Sequence, residues 1–383
     1  MTEATRLLRE LVAIPSVNPM GRPVSGPMYY EHRVTAYLEE FFRGLGVRYE
    51  RQPVAPLRDN IVAYYDAPGA YETIMFEAHQ DTVPVEDMTI DPFGAVIADG
   101  KLYGRGACDI KGGMAAMLAA FARIVREKPR HAQSVVMACA VDEEFTFRGV
   151  LELVLSGLRP DLAIVAEPTS LDIVNAHKGV VRWHLKTSGR ACHSSNPDLG
   201  VNAIYRMGHV LIGIEQFAAE LKQSRSDPLL GPPTISVGRI EGGISVNTVP
   251  DECTIEIDRR VVSGEDPARA PAELQAFLQR QLEPEVPVHC DPPWMCKQAL
   301  GPEGSVEAVR RLGQAIDAVR GRHVVRAVPY GTDASTLAEA GVPSVVFGPG
   351  DIAQAHTCDE WTPLDEVEQA SEILYRLVAR GKE

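Results

Sequence analysis

Two kinds of hydrophobic pattern alternate through the first half of the chain. Around residues 34–45 and 114–125, apolar side chains recur at spacings of three and four residues, which predicts amphipathic helices. Between and after these segments lie short runs that are almost entirely apolar. Because these runs have no polar face, they predict strands buried on both sides, as in a mainly parallel sheet covered by helices. The four runs span residues 73–78, 134–141, 162–166 and 344–347.

The middle of the chain has a different order of elements. Residues 179–290 predict a strand, a helix, two strands, a second helix and a short last strand. This β-α-β-β-α-β order is that of a ferredoxin-like unit. The α/β pattern then resumes near residue 305. We therefore predict an α/β fold in which a discontinuous domain of residues 1–178 and 291–383, built on the mainly parallel sheet, is interrupted by an inserted α+β lid of residues 179–290.

Composition and charge argue against several classes of protein. The 52 acidic residues outnumber the 38 basic ones and give a formal net charge of −14. Such a chain is poorly suited to bind nucleic-acid phosphates or anionic membrane surfaces. Seven scattered cysteines without a C-x-x-C pair favour a reducing compartment over a disulfide framework. No apolar stretch approaches the roughly 18 residues of a membrane span, so we expect a soluble, cytoplasmic protein.

Polar residues follow each of the four apolar runs. In an open parallel sheet, ligands bind beyond the carboxyl ends of the strands. A single His or Glu after a strand is usually a solvated loop residue, but four strands that each deliver one predict a common site. Asp109, just before the helix of residues 114–125, adds a further carboxylate, although Asp is also common at helix N-termini. The residues that follow the strands are His79 and Asp81, Glu143 and Glu144, Glu167, and His356.

Imidazole nitrogens combined with carboxylate oxygens suit zinc, with cobalt or manganese as substitutes. Pairs of such ions about 3.5–4 Å apart form a recognised hydrolytic arrangement. If Glu144 binds a metal, its neighbour Glu143 remains free to act as the general base that activates water. The sequence contains no G-x-S-x-G, H-E-x-x-H or G-x-x-x-x-G-K-[ST] motif to support another hydrolytic or nucleotide-binding mechanism.

Five motifs carry a resemblance to a known family. EAHQDTVP, YGRGACDIKGG, VDEE, AEPT and QAHTCDEW occur in this order, and together they resemble peptidase family M20, the metallo-aminoacylase/carboxypeptidase family. The resemblance covers nearly the whole chain and implies two divalent metal ions, most simply zinc. It implies that His79 and Glu167 hold one ion, that Glu144 and His356 hold the other, and that Asp109 bridges them.

The resemblance also implies roles for residues that do not bind metal. Asp81 would orient the imidazole of His79, and Glu143 would be the general base. In the lid, GRACHSSNP resembles the segment whose histidine, here His193, stabilises the oxyanion in the partner subunit's site. Further implied substrate contacts are Asn247 in GGISVNTVPD, Arg260 in IDRRVVSGE, and Gly331 and Thr332 in YGTDAS.

The function implied by the resemblance is hydrolysis of the amide bond of small N-acyl amino acids by a homodimer that forms through the lid. The stretch GPGDIAQAH is most similar to the acetylornithine deacetylase and succinyl-diaminopimelate desuccinylase group, and an acetylornithine deacetylase-like deacylase is the first expectation. A desuccinylase, or a dipeptidase or carboxypeptidase, is the alternative within the family. A non-catalytic ligand-binding homologue is the alternative from another class, but the metal ligands and the base that the resemblance implies are all present in the sequence.

Overall fold

The computed structural model describes residues 1–282 and 286–379. These residues form two compact units. The first consists of Met1–Asn175, Pro302–Arg326 and Thr332–Glu383, and the second of Ala176–Gly301 and Ala327–Gly331. The described residues of the predicted lid, 179–282 and 286–290, fall within the second unit, which extends further at both ends. Residues 283–285 of the predicted lid lie outside the described residues. Residues 380–383, the end of the predicted segment 291–383, lie outside the described residues.

Helices and strands are numbered here along the described chain. The helices are α1 (Glu3–Val12), α2 (His32–Leu45), α3 (Lys111–Glu127), α4 (Arg148–Leu155), α5 (Ala203–Ser224), α6 (Ala270–Gln281), α7 (Val306–Arg320), α8 (Ala334–Glu339) and α9 (Leu364–Ala379). The strands are β1 (Arg48–Ala55), β2 (Arg58–Tyr65), β3 (Thr73–His79), β4 (Val96–Ala98), β5 (Lys101–Tyr103), β6 (Ser134–Ala140), β7 (Leu162–Val165), β8 (Ile173–His177), β9 (Gly179–Ser188), β10 (Cys192–His193), β11 (Thr234–Gly242), β12 (Thr248–Val249), β13 (Glu252–Val261), β14 (Val288–Cys290), β15 (Met295–Lys297), β16 (Val325–Val328), β17 (Ser344–Val346) and β18 (Trp361–Pro363).

The largest sheet has eight strands in the order β1-β2-β6-β3-β7-β17-β8-β16. Its centre is parallel, since β6, β3, β7 and β17 run in one direction. On one side β2 and β1 continue it antiparallel, and on the other β8 pairs antiparallel with β17. The four central strands are the four apolar runs of the sequence, so the predicted α/β sheet is confirmed.

Helices cover both faces of this sheet. Ile74 and Phe76 of β3 belong to one core cluster with Leu8 of α1, Phe121 of α3 and Ile373 of α9. On the opposite face, α4 packs against β6, and α8 packs against β7 and β17. Because apolar layers lie on both sides, the central strands carry no polar alternation.

The second unit contains a sheet in the order β11-β13-β9-β14, with β15 also paired to β9. Along the chain its elements follow the predicted order β9, α5, β11, β13, α6, β14. One face is apolar, with Trp183, Leu185 and Ile255 packed against α5 and α6. The predicted ferredoxin-like unit is therefore present.

The sequence pattern missed elements at the periphery of the large sheet. β1 and β2 form an antiparallel pair that the apolar runs did not predict. β1 is largely exposed, so its residues lack the continuous apolar character of a central strand. Within residues 1–282 and 286–379, no helix has both the length and the apolar composition needed to cross a membrane.

Candidate metal centre

The parallel strands deliver polar residues to one edge of the large sheet. His79 is the last residue of β3. Glu143 and Glu144 follow β6, and Glu167 follows β7. Because β6, β3 and β7 are parallel neighbours, their carboxyl ends lie side by side, where the topology of an open α/β sheet places ligand sites.

Two groups of side chains converge at this edge. His79, Asp109 and Glu167 each offer a donor atom within 4.8 Å of the others, and so do Asp109, Glu144 and His356. Asp109 belongs to both groups. One of its carboxylate oxygens lies 3.1 Å from Nε2 of His79, and the other lies 3.3 Å from Nε2 of His356. The five residues predicted as metal ligands are thus brought together, with the predicted bridging residue between the others.

The orientation of the His79 ring is fixed by a contact between its nitrogen Nδ1 and Asp81. Nδ1 lies 3.0 Å from the backbone oxygen of Asp81 and 3.6 Å from its carboxylate. Since a carbonyl oxygen only accepts, Nδ1 carries the proton and Nε2 is the nitrogen directed at Asp109. A hydrogen bond from the second ring nitrogen to a backbone carbonyl is one of the arrangements that orient a metal-binding imidazole, and here the Asp81 carboxylate lies close by.

The Asp81 carboxylate is fully buried and also organises the end of β6. It accepts hydrogen bonds from the backbone N–H groups of Glu143 and Glu144, each at 3.2 Å, and from the side-chain amide of Asn18 at 2.8 Å. Burial alone would raise the pKa of Asp81, but contacts with His79 and Asn18 hold it below its ordinary value. Asp81 therefore remains an acceptor.

A buried ionic network lies behind this carboxylate. Arg58 pairs with Asp142, and its Nε lies 3.5 Å from Glu31. The backbone N–H of Asp142 donates to Glu31 at 3.2 Å. Burial, and next the charge of Asp81, raise the pKa of Glu31 to about 8. Together these contacts fix the chain that turns from β6 toward Glu143.

Asp109 is held from the opposite side by Glu360, whose side chain is fully buried. The Glu360 carboxylate accepts hydrogen bonds from the backbone N–H groups of Gly106, Cys108 and Asp109 at 2.9–3.1 Å. It also pairs with Arg105 at 2.8 Å. The backbone that carries Asp109 is thus anchored to the segment that follows His356.

The two histidines and Asp109 polarise one another. Burial opposes protonation of His356, but contacts with Asp109 and Glu144 raise its pKa to about 11. Burial likewise opposes protonation of His79, yet the carboxylates of Asp109 and Asp81 raise its pKa well above the ordinary value. The same contacts lower the pKa of Asp109 against the effect of its own burial. The site therefore attracts positive charge.

The carboxyl groups of Glu143, Glu144 and Glu167 are buried close to other acidic groups. Burial is the main cause that raises the pKa values of Glu143, Glu144 and Glu167, and the neighbouring carboxylates add to it. Oxygen Oε1 of Glu144 is buried without a hydrogen-bond partner. Buried carboxylates are costly unless protons or cations neutralise them. Oxygen and imidazole donors with an unused buried oxygen fit divalent cations such as zinc.

In the second unit, His193 and Asn247 lie in one exposed corner. β10, which contains His193, pairs with β12, and the backbone of Ser194 donates to the backbone oxygen of Asn247 at 3.0 Å. The backbone N–H of Ser195 donates to Nδ1 of His193 at 3.1 Å. When the imidazole is neutral, its proton is therefore on Nε2.

The other predicted substrate contacts have partners of their own. Arg260, on β13, pairs with the carboxylate of Asp258 at 2.7 Å and is one-quarter exposed. A β-carbon at Gly331 would lie 3.3 Å from the backbone oxygen of Lys178, so the backbone there is closely packed. Thr332 is fully buried, and its hydroxyl accepts from the backbone N–H of Ala334 at the start of α8.

The chain is similar to known proteins over most of its length. The family model described as Peptidase family M20/M25/M40 matches residues 75–380. The chain belongs to this family. As a member of M20/M25/M40, it is a metal-dependent hydrolase of the peptidase and deacylase type.

Curated relatives of this M20 enzyme match it over most of its length. The acetylornithine deacetylase of Myxococcus xanthus is 32% identical over 325 residues, which are 84% of this chain and 83% of the relative. The acetylornithine deacetylase of Edwardsiella ictaluri is 31% identical over 97% of this chain and 96% of its own.

Solved structures share the fold. An M20 family metallo-carboxypeptidase from Sulfolobus solfataricus superposes with a TM-score of 0.79 at 19% identity and covers 99% of both chains. A dinuclear metal-binding peptidase of the M20 family from Bacillus subtilis has a TM-score of 0.68 at 15% identity and covers 98% of this chain and 96% of its own. The mixed α/β architecture is therefore that of known M20 structures.

Several residues around the centre of this M20 enzyme were not identified from its sequence. Glu360 could have been, because it lies in the same QAHTCDEW motif as His356 and directly follows an Asp. Asn18, Glu31 and Arg58 gave no comparable signal. Each of them is a polar residue outside the apolar runs, and the sequence does not show whether such a residue is buried or solvated.

Proposed function

We propose that this M20 enzyme is a two-metal amidohydrolase that releases amino acids from small N-acyl amino acids, in the manner of an acetylornithine deacetylase. The observation that carries the proposal is the position of Asp109, which belongs to both groups of converging donor atoms. A carboxylate shared by both groups suits a pair of closely spaced divalent ions. The substrate class follows from relatives named acetylornithine deacetylase over nearly the whole chain.

His79, Asp109 and Glu167 would hold one ion, and Asp109, Glu144 and His356 the other. The mixture of imidazole and carboxylate favours zinc, with cobalt or manganese as substitutes. When bound, such ions polarise a carbonyl oxygen and lower the pKa of water. The buried negative charge of the site supports this assignment, because cations would replace the protons that the raised carboxyl pKa values otherwise favour.

Glu143 is the proposed general base. It takes a proton from the attacking water and later donates it to the leaving nitrogen, so that one carboxyl group serves both steps. Its burial favours this exchange, because a raised pKa makes the carboxylate a stronger base near neutral pH. The backbone hydrogen bond from Glu143 to Asp81 fixes its position beside the proposed ligands.

Residues of the second unit are proposed to bind the substrate. Arg260 would exchange part of its ion pair with Asp258 for the substrate carboxylate, a pairing that suits a guanidinium. Asn247 and Gly331 of the second unit, together with Thr332 of the first, would add polar contacts. His193 would donate from Nε2 to the oxyanion of the tetrahedral intermediate, which its hydrogen bond with Ser195 favours.

We further propose that the enzyme is a homodimer in which His193 serves the partner subunit's site. The resemblance to the family suggests this arrangement. The exposure of Ile244 and Val246, 93% and 102%, supports it, because apolar side chains next to Asn247 are unfavourable in water unless another surface covers them. Free cysteines throughout the sequence support a reducing, cytoplasmic location.

A substrate panel with defined metal content tests the function. Metal-free enzyme is loaded with zinc, cobalt or manganese and assayed on N-acetylornithine, N-succinyl-diaminopimelate and a set of dipeptides. We expect the loaded enzyme to turn over N-acetylornithine best, and the metal-free enzyme to be inactive. Glu143→Gln should lose about 10²–10⁴-fold in kcat because the base is removed, while two ions remain bound by elemental analysis.

Glu40→Gln is the matched control, since Glu40 is an exposed carboxylate on α2 whose side chain is 73% accessible. Its activity should equal that of the wild type. Turnover of dipeptides with none of the acylated amino acids would reject the proposed substrate class. Full activity of Glu143→Gln, or activity without metal, would reject the mechanism.

A further inference from the structure

The Glu360 carboxylate is the centre of a buried set of hydrogen bonds, and Glu360 is not itself one of the proposed ligands. Oε2 accepts from Arg105 Nη1 and from the backbone N–H of Gly106, and Oε1 accepts from the backbone N–H groups of Cys108 and Asp109. The distances are 2.8, 3.1, 2.9 and 3.0 Å in that order. Both carboxylate oxygens are therefore committed to one short stretch of backbone.

That stretch determines where Asp109 lies. Residues 105–109 lead from β5 into α3, and a backbone bond from Gly104 to Glu360 at 3.0 Å extends the attachment. The adjacent residues along each segment, Trp361 in β18 and Tyr103 in β5, are also paired. Two segments of chain about 250 residues apart are thus joined around one carboxylate.

The segment that carries Glu360 also carries His356, which contacts Asp109. His356 precedes Glu360 by four residues, and Nε2 of His356 lies 3.3 Å from Asp109. The other oxygen of Asp109 faces His79 at 3.1 Å. Because each oxygen of Asp109 faces a different histidine, a small shift of the backbone at residue 109 would disturb both contacts together.

We propose that Glu360 is a positioning residue that holds Asp109 where it can serve both proposed metal ions. This inference rests on the proposed two-metal function. Glu360 itself is directed away from the donor atoms and into the backbone N–H groups of residues 106, 108 and 109. Its effect on the ions is indirect, as is usual for residues that orient metal ligands through hydrogen bonds.

The bonds to the backbone, more than the ion pair, carry this role. A buried ion pair on its own is weak support for stability, because desolvation offsets much of its attraction. Arg105 also donates to the backbone oxygen of Pro84 at 3.1 Å, so it is anchored independently of Glu360. Glutamine at position 360 would keep one acceptor oxygen, but its NH₂ group could not accept from the remaining donors.

The test compares Glu360→Gln with Glu72→Gln. Glu72 lies just before β3 and pairs with Arg311 at 2.8 Å, with 12% and 7% of the two side chains exposed. His79 is at the other end of β3, so the control removes the same charge from a buried pair at a distance from the centre. Thermal unfolding of both metal-free variants measures what the loss of an ion pair does to stability.

Cobalt and manganese binding provide the decisive readouts. We expect Glu360→Gln to bind the second ion at least about tenfold more weakly than the wild type, and to lose the spin coupling between paired Mn²⁺ ions in its EPR spectrum. Glu72→Gln should bind two coupled ions like the wild type. Arg105→Gln should also keep the coupling, because the bonds from Glu360 to the backbone remain.

Two coupled ions in Glu360→Gln, with only its melting temperature lowered, would overturn the proposal and leave Glu360 a purely structural residue. If Glu360→Gln does not fold, Glu360→Asp, which keeps the charge but shortens the side chain, must show the weakened second ion and reduced coupling. Failure of the proposed function is distinguishable, because the wild-type enzyme would then bind fewer than two coupled ions.

Discussion

The carboxylate of Asp81 connects three parts of the candidate metal centre. It contacts the ring of His79, accepts from the backbone of Glu143 and Glu144, and is bound by the amide of Asn18. One buried side chain thus orients a proposed ligand, the proposed base and a second proposed ligand. Such a residue has to remain ionised, and the lowered pKa of Asp81 indicates that it does.

Asn18 offers a direct test of this connection. Its amide nitrogen donates to Asp81 at 2.8 Å and to Asp142 at 3.0 Å, and all three side chains are buried. Asn18→Ala leaves two buried carboxylates without this donor, which should cost about 1–3 kcal/mol of unfolding free energy. Because Asp81 would lose a constraint, we expect cobalt affinity to fall about 10–100-fold, measured by titration of the metal-free enzyme.

Asn202→Ala provides a control of comparable stability. Asn202 caps α5 in the second unit by accepting from the backbone N–H groups of Ile204 and Tyr205, and loss of such a cap costs typically about 1 kcal/mol. This variant should be less stable than the wild type but should bind cobalt equally well. Unchanged cobalt affinity in Asn18→Ala would show that Asn18 does not act on the site through Asp81.

At the scale of secondary-structure elements, close packing of α4 against the end of β6 determines where the residues after β6 lie. Gly149 in the first turn of α4 donates to the backbone oxygen of Val141 at 3.0 Å and accepts from the side chain of Asn60 at 2.9 Å. A β-carbon at Gly149 would lie 2.3 Å from that oxygen of Val141. Only glycine allows α4 to approach the end of β6 so closely.

We therefore predict opposite effects for the same substitution in two helices. Gly149→Ala should destabilise the protein by about 1–3 kcal/mol or more, because backbone atoms cannot move aside as a flexible side chain could. Gly44→Ala in α2 should stabilise it by about 0.5–1 kcal/mol, since no atom lies within 4 Å of the added carbon and alanine favours the helix. Denaturant unfolding of both variants measures these changes.

Measuring activity distinguishes an effect of Gly149→Ala on the proposed active site from its effect on overall stability. Because Gly149 adjoins the turn that carries Glu143, Gly149→Ala should also lower kcat in the fraction that remains folded. Gly44→Ala should leave kcat unchanged. Equal stability of the two variants would contradict the packing argument.

At the scale of the whole molecule, the proposed active site draws on residues from distant parts of the chain. The candidate metal ligands, from His79 to His356, all belong to the first unit, whereas His193, Asn247 and Arg260 belong to the second. In a symmetric dimer, an element of one subunit can complete the site of the other. The proposed exchange of His193 is therefore a property of the assembly.

Mixing two inactive variants tests that exchange. Glu143→Gln lacks the proposed base, and His193→Ala lacks the proposed oxyanion donor. In a mixed dimer, a site with Glu143 intact would receive the intact His193 of the other subunit. If the subunits pair at random, about half of the dimers are mixed, and each mixed dimer has one active site out of two. We therefore expect about a quarter of the wild-type activity. If His193 serves its own chain, the mixture will be as inactive as each variant alone.

The sequence by itself determined the central strands, the ferredoxin-like order of the second unit and the strand ends at which the candidate ligands lie. These features follow from local patterns: a strand buried on both faces must be apolar along its length, and the residue after it lies at the edge of the sheet. His79, Glu144, Glu167 and His356 could therefore be found without coordinates. Their assignment as metal ligands remains a prediction.

Only the tertiary structure decided how Asp109 lies between the two histidines and which side chains hold it there. Asn18 meets Asp81 across 63 residues, and Glu360 meets the backbone of Asp109 across 251. A hydrogen bond between such distant residues leaves no periodic signal in either segment, because its donor and acceptor become neighbours only when the chain folds. The edge strand β1 escaped prediction for a different reason, since most of its residues are exposed and it therefore lacks a continuous apolar pattern.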